Sequence, residues 1–307
     1  MVELFCDGPL AEATTFHKSF GGDTLNTLVA AARLGTATGY LTRVGDDPFA
    51  PYLLGSWERE GVDTSQARRV PGFNGLYFIS LLAGGEREFT YYRAGSAAST
   101  VTPEDLDSAY LARARLFHTS GISQALSPTS RSAVLAACRL ARAAGVGVSF
   151  DPNLRLRLWP SLAEARAALE EVLPLVTVAL PSGPEEVGQL LGTTDPGAAV
   201  RFFLDRGVEV VALKLGAQGC LVASRTAPEP VAVPTPPVTS LDTTGAGDAF
   251  NGGLLHGLLS GLTPVQAALL GVATASLKVR GRGAIASLPS RQEAYALWEQ
   301  RRPVHDG

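Results

Sequence analysis

The run Asp242-Thr-Thr-Gly-Ala-Gly-Asp-Ala-Phe-Asn-Gly-Gly-Leu-Leu255 decides how the rest of the chain is read. Two glycines around Ala246 open a helical pattern directly after a polar turn. The backbone N–H groups of Gly245, Ala246 and Gly247 can then converge on one anion, and the helix dipole adds favourable potential at that point. This is the chemistry of a phosphate cradle. Asp248 follows at once, an acid in the first helical turn and within reach of a group attacking a phosphate bound there. A plainer account also fits, in which the glycines close a turn and Asp248 favours a helix N-terminus. A lone Gly-x-Gly would deserve that account, but a run of this length is far more specific.

Outward from this run, short β-branched stretches alternate with helical patterns, which predicts βα units on a largely parallel sheet. Residues 116–119, 146–151, 176–180 and 208–214 read as strands. Residues 127–144 read as a helix, with Ser127-Pro128 as N-cap and N1 and Gly145 closing it, and residues 195–206 as another, ended by Gly207. A hairpin of 220–223 and 231–233 follows, then helices over 246–260, 263–279 and 291–301. One segment breaks the rhythm: 76–82 and 86–93 are strand-like around Ala83-Gly84-Gly85, a hairpin signal crowded with aromatics. A hairpin inserted into a βα fold covers a ligand, makes a subunit contact, or does both. The expected architecture is α/β, one domain over 1–307 with a central, mostly parallel sheet flanked by helices. A small β lid is expected over 73–95 with part of 8–22.

Composition narrows the function classes. The 307 residues are 46% hydrophobic and 18% charged, enough for a sizeable core. Twenty-six basic against 29 acidic residues give a net charge of -3, and no basic block occurs, so neither nucleic acid nor an anionic membrane is an expected partner. The apolar run near 265–277 is broken by Gln266, Thr274 and Ser276 and stays below the roughly 20 residues a bilayer needs. No export signal opens the chain. Cys6, Cys138 and Cys220 have neither CxxC nor metal-ligand spacing and read as buried thiols of a reducing compartment. The expected location is cytoplasmic.

Further loops carry polar groups. Gly21-Gly22-Asp23-Thr24-Leu25-Asn26 precedes an Ala-rich helix ending at Leu34-Gly35. Gly22 allows close approach of a ligand and Asn26 offers donor and acceptor to a polyol, while a helix N-cap explains Asp23 equally well. Lys214-Leu-Gly-Ala-Gln-Gly-Cys220 follows a strand and is placed to wrap a nucleotide, or forms a plain strand-turn-strand. Asp151-Pro-Asn-Leu-Arg155 and Ser182-Gly-Pro-Glu185 follow other strands, at the carboxyl edge where ligands bind in open α/β sheets.

Taken together these residues resemble the ribokinase-like (pfkB-type) carbohydrate kinases over nearly the whole chain. The 242–255 run fits every position of that family's C-terminal signature. Gly21-Gly22, Asn26, Gly35 and Gly45 are similar to its N-terminal signature, which departs at Leu28, where a small residue is usual. Gly75-Leu76-Tyr77, Tyr91-Tyr92-Arg93 and Asp151-Pro-Asn-Leu-Arg155 are most similar to the 2-keto-3-deoxygluconate kinases.

The resemblance implies a ribokinase-like fold and residue roles. Asp248 would be the base taking the proton from the sugar hydroxyl, with the N–H groups of Gly245, Ala246 and Gly247 as anion hole. Lys214, Gly216 and Gly219, with Asn153 and Ser182, would serve ATP, and Glu185 would steer Mg²⁺ through water. Gly22, Asn26, Tyr77, Tyr91, Arg93 and Arg155 would contact the sugar. Three departures stand out: Ser182 for a usual Asn, Gly271 where an adenine-side Asn is common, and Leu215 for a usual Arg. Arg93 and Arg155 suit a carboxylate, so the expected reaction is ATP-dependent phosphorylation of 2-keto-3-deoxygluconate to its 6-phosphate.

Rival functions are a neutral-sugar kinase of fructokinase or ribokinase type, which would lack the arginine pair, and a non-catalytic sensor, which would not need Asp248. A dinucleotide oxidoreductase would need Gly-x-Gly-x-x-Gly after a first strand, and the chain start has none. A homo-oligomer through the lid is also implied. Related kinases open with a buried strand before the region matching Pro9 to Gly22, where here only Met1 to Cys6 stand. A sheet short of one edge or central strand is therefore expected, with a groove left open. Val2 to Cys6 paired as a full inner strand would overturn that expectation.

Overall fold

Among the described residues the strands form a six-stranded sheet, a four-stranded sheet and two two-stranded pairs. The computed structural model describes residues 1–82 and 87–301, so the expected turn at Ala83-Gly84-Gly85 lies outside the described residues. In chain order, β1 (Val2–Asp7) and β2 (His17–Phe20) precede α1 (Asp23–Leu34), β3 (Thr38–Gly39), β4 (Thr42–Gly45), α2 (Ala50–Arg59), β5 (Val62–Asp63) and β6 (Ala67–Val70). The expected hairpin follows as β7 (Leu76–Leu81) and β8 (Arg87–Tyr92). It joins the first two strands in a small sheet of order β2-β1-β7-β8. In it β8 runs antiparallel to β7, with Tyr77 opposite Tyr91.

The βα rhythm then takes over. After α3 (Ser108–Ala112) come β9 (Leu116–Ser120), α4 (Gly121–Ala125), α5 (Pro128–Ala143), β10 (Gly147–Asp151), α6 (Leu162–Val172), β11 (Val178–Ala179), α7 (Glu185–Leu191), α8 (Pro196–Asp205) and β12 (Val210–Lys214). The hairpin β13 (Cys220–Ser224) and β14 (Ala227–Val233) precedes α9 (Ala246–Leu259), α10 (Pro264–Lys278) and α11 (Arg291–Arg301). The central sheet has the order β14-β13-β12-β11-β10-β9, with β9 to β12 mutually parallel.

Helices cover both faces of this sheet, which explains why its inner strands read as continuous apolar runs. Phe150, Val172 and Phe203 pack in one core layer, and Leu180, Leu254, Leu270 and Trp298 in another. Local signals start the helices: Ser127 accepts from the Ser130 N–H at 3.0 Å ahead of Pro128, and Asp195 accepts from the Gly197 N–H at 2.9 Å. α9 and α10 approach closely at Gly253, where a Cβ would stand 2.6 Å from Thr274 Oγ1, so only glycine fits. Gly271 has a similar packing reason, lying against Phe250.

Two expectations change here. Asp23 does not cap α1; Gly22 holds the N-cap position, and the Asp23 carboxylate accepts a hydrogen bond from Ser120 Oγ. Val2 to Cys6 lie in β1, an inner strand of the small sheet paired with β2 on one side and β7 on the other, which is the outcome that overturns the expectation of a missing strand. The central sheet itself ends at β9. Among the described residues no strand pairs with the outer edge of β9, and a cavity of about 820 Å³, lined in part by Leu28, lies beside it. The three cysteines are buried and unbridged. Among the described residues no helix is long and apolar enough to cross a membrane.

Candidate active site

Parallel strands deliver their carboxyl ends to one side of a sheet, and here Ser120, Asp151 and Lys214 close β9, β10 and β12 on that side. A cavity of about 1050 Å³ opens above them, shared by the first turn of α9, the start of α1 and the small sheet. Asp248 faces it. Asn26 Nδ2 donates to Asp248 Oδ2 at 2.7 Å, while Asn26 Oδ1 accepts the Gly22 N–H at 3.1 Å. Asn26 therefore spends one donor and one acceptor inside the protein and orients the acid, while its amide still lines the cavity. Burial pushes the Asp248 carboxyl up to about 7; the Asn26 hydrogen bond opposes the rise, and the Asp23 and Asp151 charges add to it. An acid poised near neutrality suits a general base.

The turn before Asp248 has the shape of an anion site. Gly245 has φ +73° and caps α9. The Ala246 N–H is turned back to Thr243 O at 3.1 Å, whereas among the described residues the N–H groups of Gly245 and Gly247 have no backbone acceptor. Of the expected three amides, those of Gly245 and Gly247 stand open in this structure. Thr244 Oγ1 is buried beside the Asp242 carboxylate; against the upward push of burial, the Thr244 N–H and this hydroxyl help to hold that carboxyl below its ordinary range. Asp242 anchors the turn: it accepts the Thr244 and Gly283 N–H groups at 2.7 Å each and pairs with Arg87 at 2.8 Å. Lys278, fully buried, donates to Asp242 O at 2.7 Å, and desolvation lowers its ammonium to about 8.

Below the turn lies a buried polar cluster that sequence reasoning only half saw. Lys214 Nζ donates to Asp151 Oδ2 at 2.6 Å and to Asn251 Oδ1 at 3.3 Å, and Asn251 Nδ2 donates to the same Asp151 oxygen at 2.7 Å. A Cβ on Gly247 would lie 3.8 Å from Lys214 Nζ, so this ammonium stands directly beneath the anion turn. Asn251 was missed, although its place three residues after Asp248 puts both on one helix face.

The Ser182 to Glu185 loop holds a second surprise. Glu185 is exposed at the cavity rim, but its neighbour Glu186 turns inward and accepts the Ser182 N–H at 2.8 Å and the Leu154 N–H at 2.7 Å. Desolvation, then the Asp151 charge, raises the Glu186 carboxyl to about 7. Asn153, with φ +37°, gives its N–H to Asp151 Oδ1 at 3.1 Å and lines the cavity with Ser182. Gly216 and Gly219 do not line it. Gly216 is exposed, and at Gly219 a Cβ would collide with Val233 O, so that glycine has a packing reason of its own.

The small sheet contributes the far wall. The Tyr77 and Tyr91 rings stack 5.6 Å apart, but the buried Tyr77 hydroxyl donates to Glu3. Tyr77 still lines the cavity, with its hydroxyl engaged by Glu3. Gly21 must be glycine, since a Cβ there would collide with the same hydroxyl. Arg93, Arg155 and Arg157 line the cavity. Arg155 is exposed and donates to Leu154 O at 3.0 Å, whereas Arg157, passed over in the sequence, stacks 4.7 Å over the Tyr91 ring. Among the described residues none of these three has a carboxylate partner.

The family model for the pfkB family carbohydrate kinases matches residues 1–291. This chain is a pfkB family carbohydrate kinase. It is similar to the 2-dehydro-3-deoxygluconokinase of Thermoproteus tenax, 37% identical over 94% of this chain and 88% of that one. It is similar as well to fructokinase-1 of Oryza sativa subsp. japonica, 34% identical over 94% and 91%. An E. coli protein provisionally designated ribokinase II, solved with ATP and Mg²⁺, superposes with a TM-score of 0.88 at 28% identity, covering 97% of this chain and 96% of that one. The kinase thus has the ribokinase-like α/β fold.

A nucleotide phosphate suits the open Gly245 and Gly247 amides and Lys214. Among the described residues no group of three or more His, Cys, Asp or Glu side chains is arranged to cage a metal. Glu185 and Glu186 are the acids of the 182–186 loop on this cavity.

Proposed function

We propose that the kinase transfers the γ-phosphoryl group of ATP to the 6-hydroxyl of 2-keto-3-deoxygluconate. The observation that carries the reading is the set of three cavity-lining arginines, Arg93, Arg155 and Arg157, without carboxylate partners among the described residues. Arg93 is half-buried and Arg155 and Arg157 are exposed, so all three guanidinium groups are available to a substrate carboxylate, which they suit through charge-assisted, bidentate contacts. Likeness to several 2-dehydro-3-deoxygluconokinases supports the same substrate, and likeness to fructokinases keeps a neutral ketose as the second reading.

In this reading Asp248 accepts the hydroxyl proton as the oxygen attacks phosphorus, its pKa near neutrality balancing the deprotonated fraction against basicity. The Gly245 and Gly247 amides and Lys214 face the charge that spreads over the transferred group. Mg²⁺ arriving with ATP would neutralise phosphate charge, with Glu185 and Glu186 in place to contact it through water. The small sheet acts as the lid that keeps water out. We propose also that β8, an outer strand with Tyr92 58% exposed, pairs between subunits, a point light scattering would settle. A reducing cytoplasm suits the three free thiols.

The test is a coupled ADP-release assay over sugar acids and neutral sugars, run on the parent and on Arg93→Ala. The expected result is a KM for 2-keto-3-deoxygluconate raised about 10-fold or more, on the scale of about 1.5 to 3 kcal/mol for a charged hydrogen bond, with little effect on a neutral sugar. Equal losses on both, or fructose outperforming the acid in the parent, would move the kinase to the neutral-sugar branch.

A further inference from the structure

Lys278 is the last residue of α10 and has no exposed surface at all. None of the steps assigned to Asp248, Lys214 and the amides uses it. Sealing an ammonium inside a protein is costly unless other groups answer its charge, so its surroundings show what it holds. Nζ donates to Asp242 O at 2.7 Å. That carbonyl begins the 242–247 run whose Gly245 and Gly247 amides stand open.

A mere fastening at this place needs no charge. The Leu241 and Asp242 N–H groups donate to Val279 O at 2.7 and 3.0 Å, and the Gly283 N–H reaches Asp242 Oδ2 at 2.7 Å. Asp242 is thus already bound to the segment after α10 by backbone groups, and an apolar side chain of similar length would fill the Lys278 site at less cost. What Lys278 alone brings is a full positive charge. The charged groups around it are Asp242 on the turn, Arg87 on β8, Glu3 on β1 and Asp248 on α9. Arg87 already pairs with Asp242 Oδ1 at 2.8 Å, and the Lys278 ammonium stands 3.9 Å from the same oxygen, beyond hydrogen-bond reach. Its charge is therefore only partly matched inside the protein. At the other end of the run Lys214 lies beneath Gly247, so a buried cation stands at each end of the open amides.

We propose that Lys278 is a positioning residue for phosphoryl transfer, a fixed internal cation that holds the 242–247 turn in its phosphate-accepting form and biases it toward an anion. The proposal rests on the reading of this run as the seat of the nucleotide phosphate, and not on which sugar is the acceptor. Burial lowers the Lys278 ammonium to about 8. The charge is therefore present below that pH and lost above it, within reach of a binding experiment.

The experiment measures ATP binding by calorimetry and both KM values by coupled assay on the parent, Lys278→Met and Lys278→Ala. Lys278→Met should raise the Kd for ATP about 10-fold or more, the scale of one charged hydrogen bond. The sugar KM should stay within about twofold, and the variant should melt no lower than the parent, because an apolar side chain replaces a buried charge. In the parent the Kd for ATP should climb as pH rises through about 8, and in Lys278→Met that climb should be absent. In Lys278→Ala, ammonium chloride should restore ATP affinity, since the small cation fits the vacated space, whereas tetramethylammonium chloride at equal ionic strength should not. Variants that bind ATP as tightly as the parent would overturn the proposal. Equal losses on ATP and sugar with lower melting and no rescue by ammonium would also overturn it, by showing that Lys278 serves the fold alone. A parent that does not bind ATP would overturn the reading of the turn itself, and the role of Lys278 with it.

Discussion

Arg87 Nη1, on the hairpin strand β8, lies 2.8 Å from Oδ1 of Asp242, and Nη2 of the same side chain donates to Leu241 O at 2.7 Å. A strand of the small sheet is thereby bonded to the start of the turn that offers its amides to an anion. The link ties the two together, so a change at this strand is expected to reach the turn. Arg87→Ala leaves Asp242 its two amide donors and Lys278, and the fold survives. The expected outcome is a KM for ATP raised several-fold and a melting temperature lowered by a few degrees, at a cost of about 1.5 to 3 kcal/mol. Unchanged ATP kinetics would show that the link is structural only.

Asp248→Asn should lower kcat by about 10² or more while ATP binding stays nearly constant. Stability separates this from a helix-start role. Folding raises the carboxyl from its ordinary 3.8 to about 7, so the folded state binds the proton more tightly, and the stabilisation this brings is lost as pH rises through about 7. The variant should therefore melt higher than the parent at pH 8, with the difference gone near pH 4. A helix-start carboxylate predicts the reverse sign, a loss of about 0.3 to 1 kcal/mol with activity kept.

The pH profile follows from the same group. kcat/KM should rise as pH increases through about 7 and then level off. Asn26→Ala removes the hydrogen bond that holds this carboxyl down, so the midpoint should move to higher pH. A profile that falls in amplitude without shifting would mean that Asn26 acts on the sugar and not through Asp248.

Tyr77→Phe tests the division between lid packing and sugar contact. The ring stack with Tyr91 survives, but Glu3 loses its donor. A stability loss of about 1 to 3 kcal/mol is expected for the acceptor left behind, with the sugar KM within about twofold. A tenfold rise in KM at unchanged stability would return the hydroxyl to the substrate.

What was legible in the sequence depended on how far apart the deciding residues lie. Contiguous signals carried well: Ser127-Pro128 starts α5, Asp195 caps α8, Gly35 closes α1 with φ +105°, and α11 covers 291–301 as expected. The anion turn and Asp248 belong to the same class, because cradle and acid are neighbours in one run. Long-range pairing was not legible. Asn26 and Asp248 are 222 residues apart and Tyr77 and Glu3 are 74 apart, and no local pattern says that a side chain will be spent on such a partner. Glu185 and Glu186 differ by one position, yet that step turns the acid about 100° around the helix. The backbone N–H groups of Leu154 and Ser182, both donating to Glu186, hold that acid inward.

The arginines sit apart from the groups that would do the chemistry. Arg93 follows β8, and Arg155 and Arg157 belong to the loop after β10, whereas Asp248, Asn251 and the free amides belong to α9 and its preceding turn. In the hydrogen bonds described here, neither Arg155 nor Arg157 touches Asp248 or Lys214. A mutant library randomised at Tyr91, Arg93, Arg155 and Arg157 would therefore explore new acceptors on an intact phosphotransfer engine, and selection on such a scaffold can change diet long before it risks turnover.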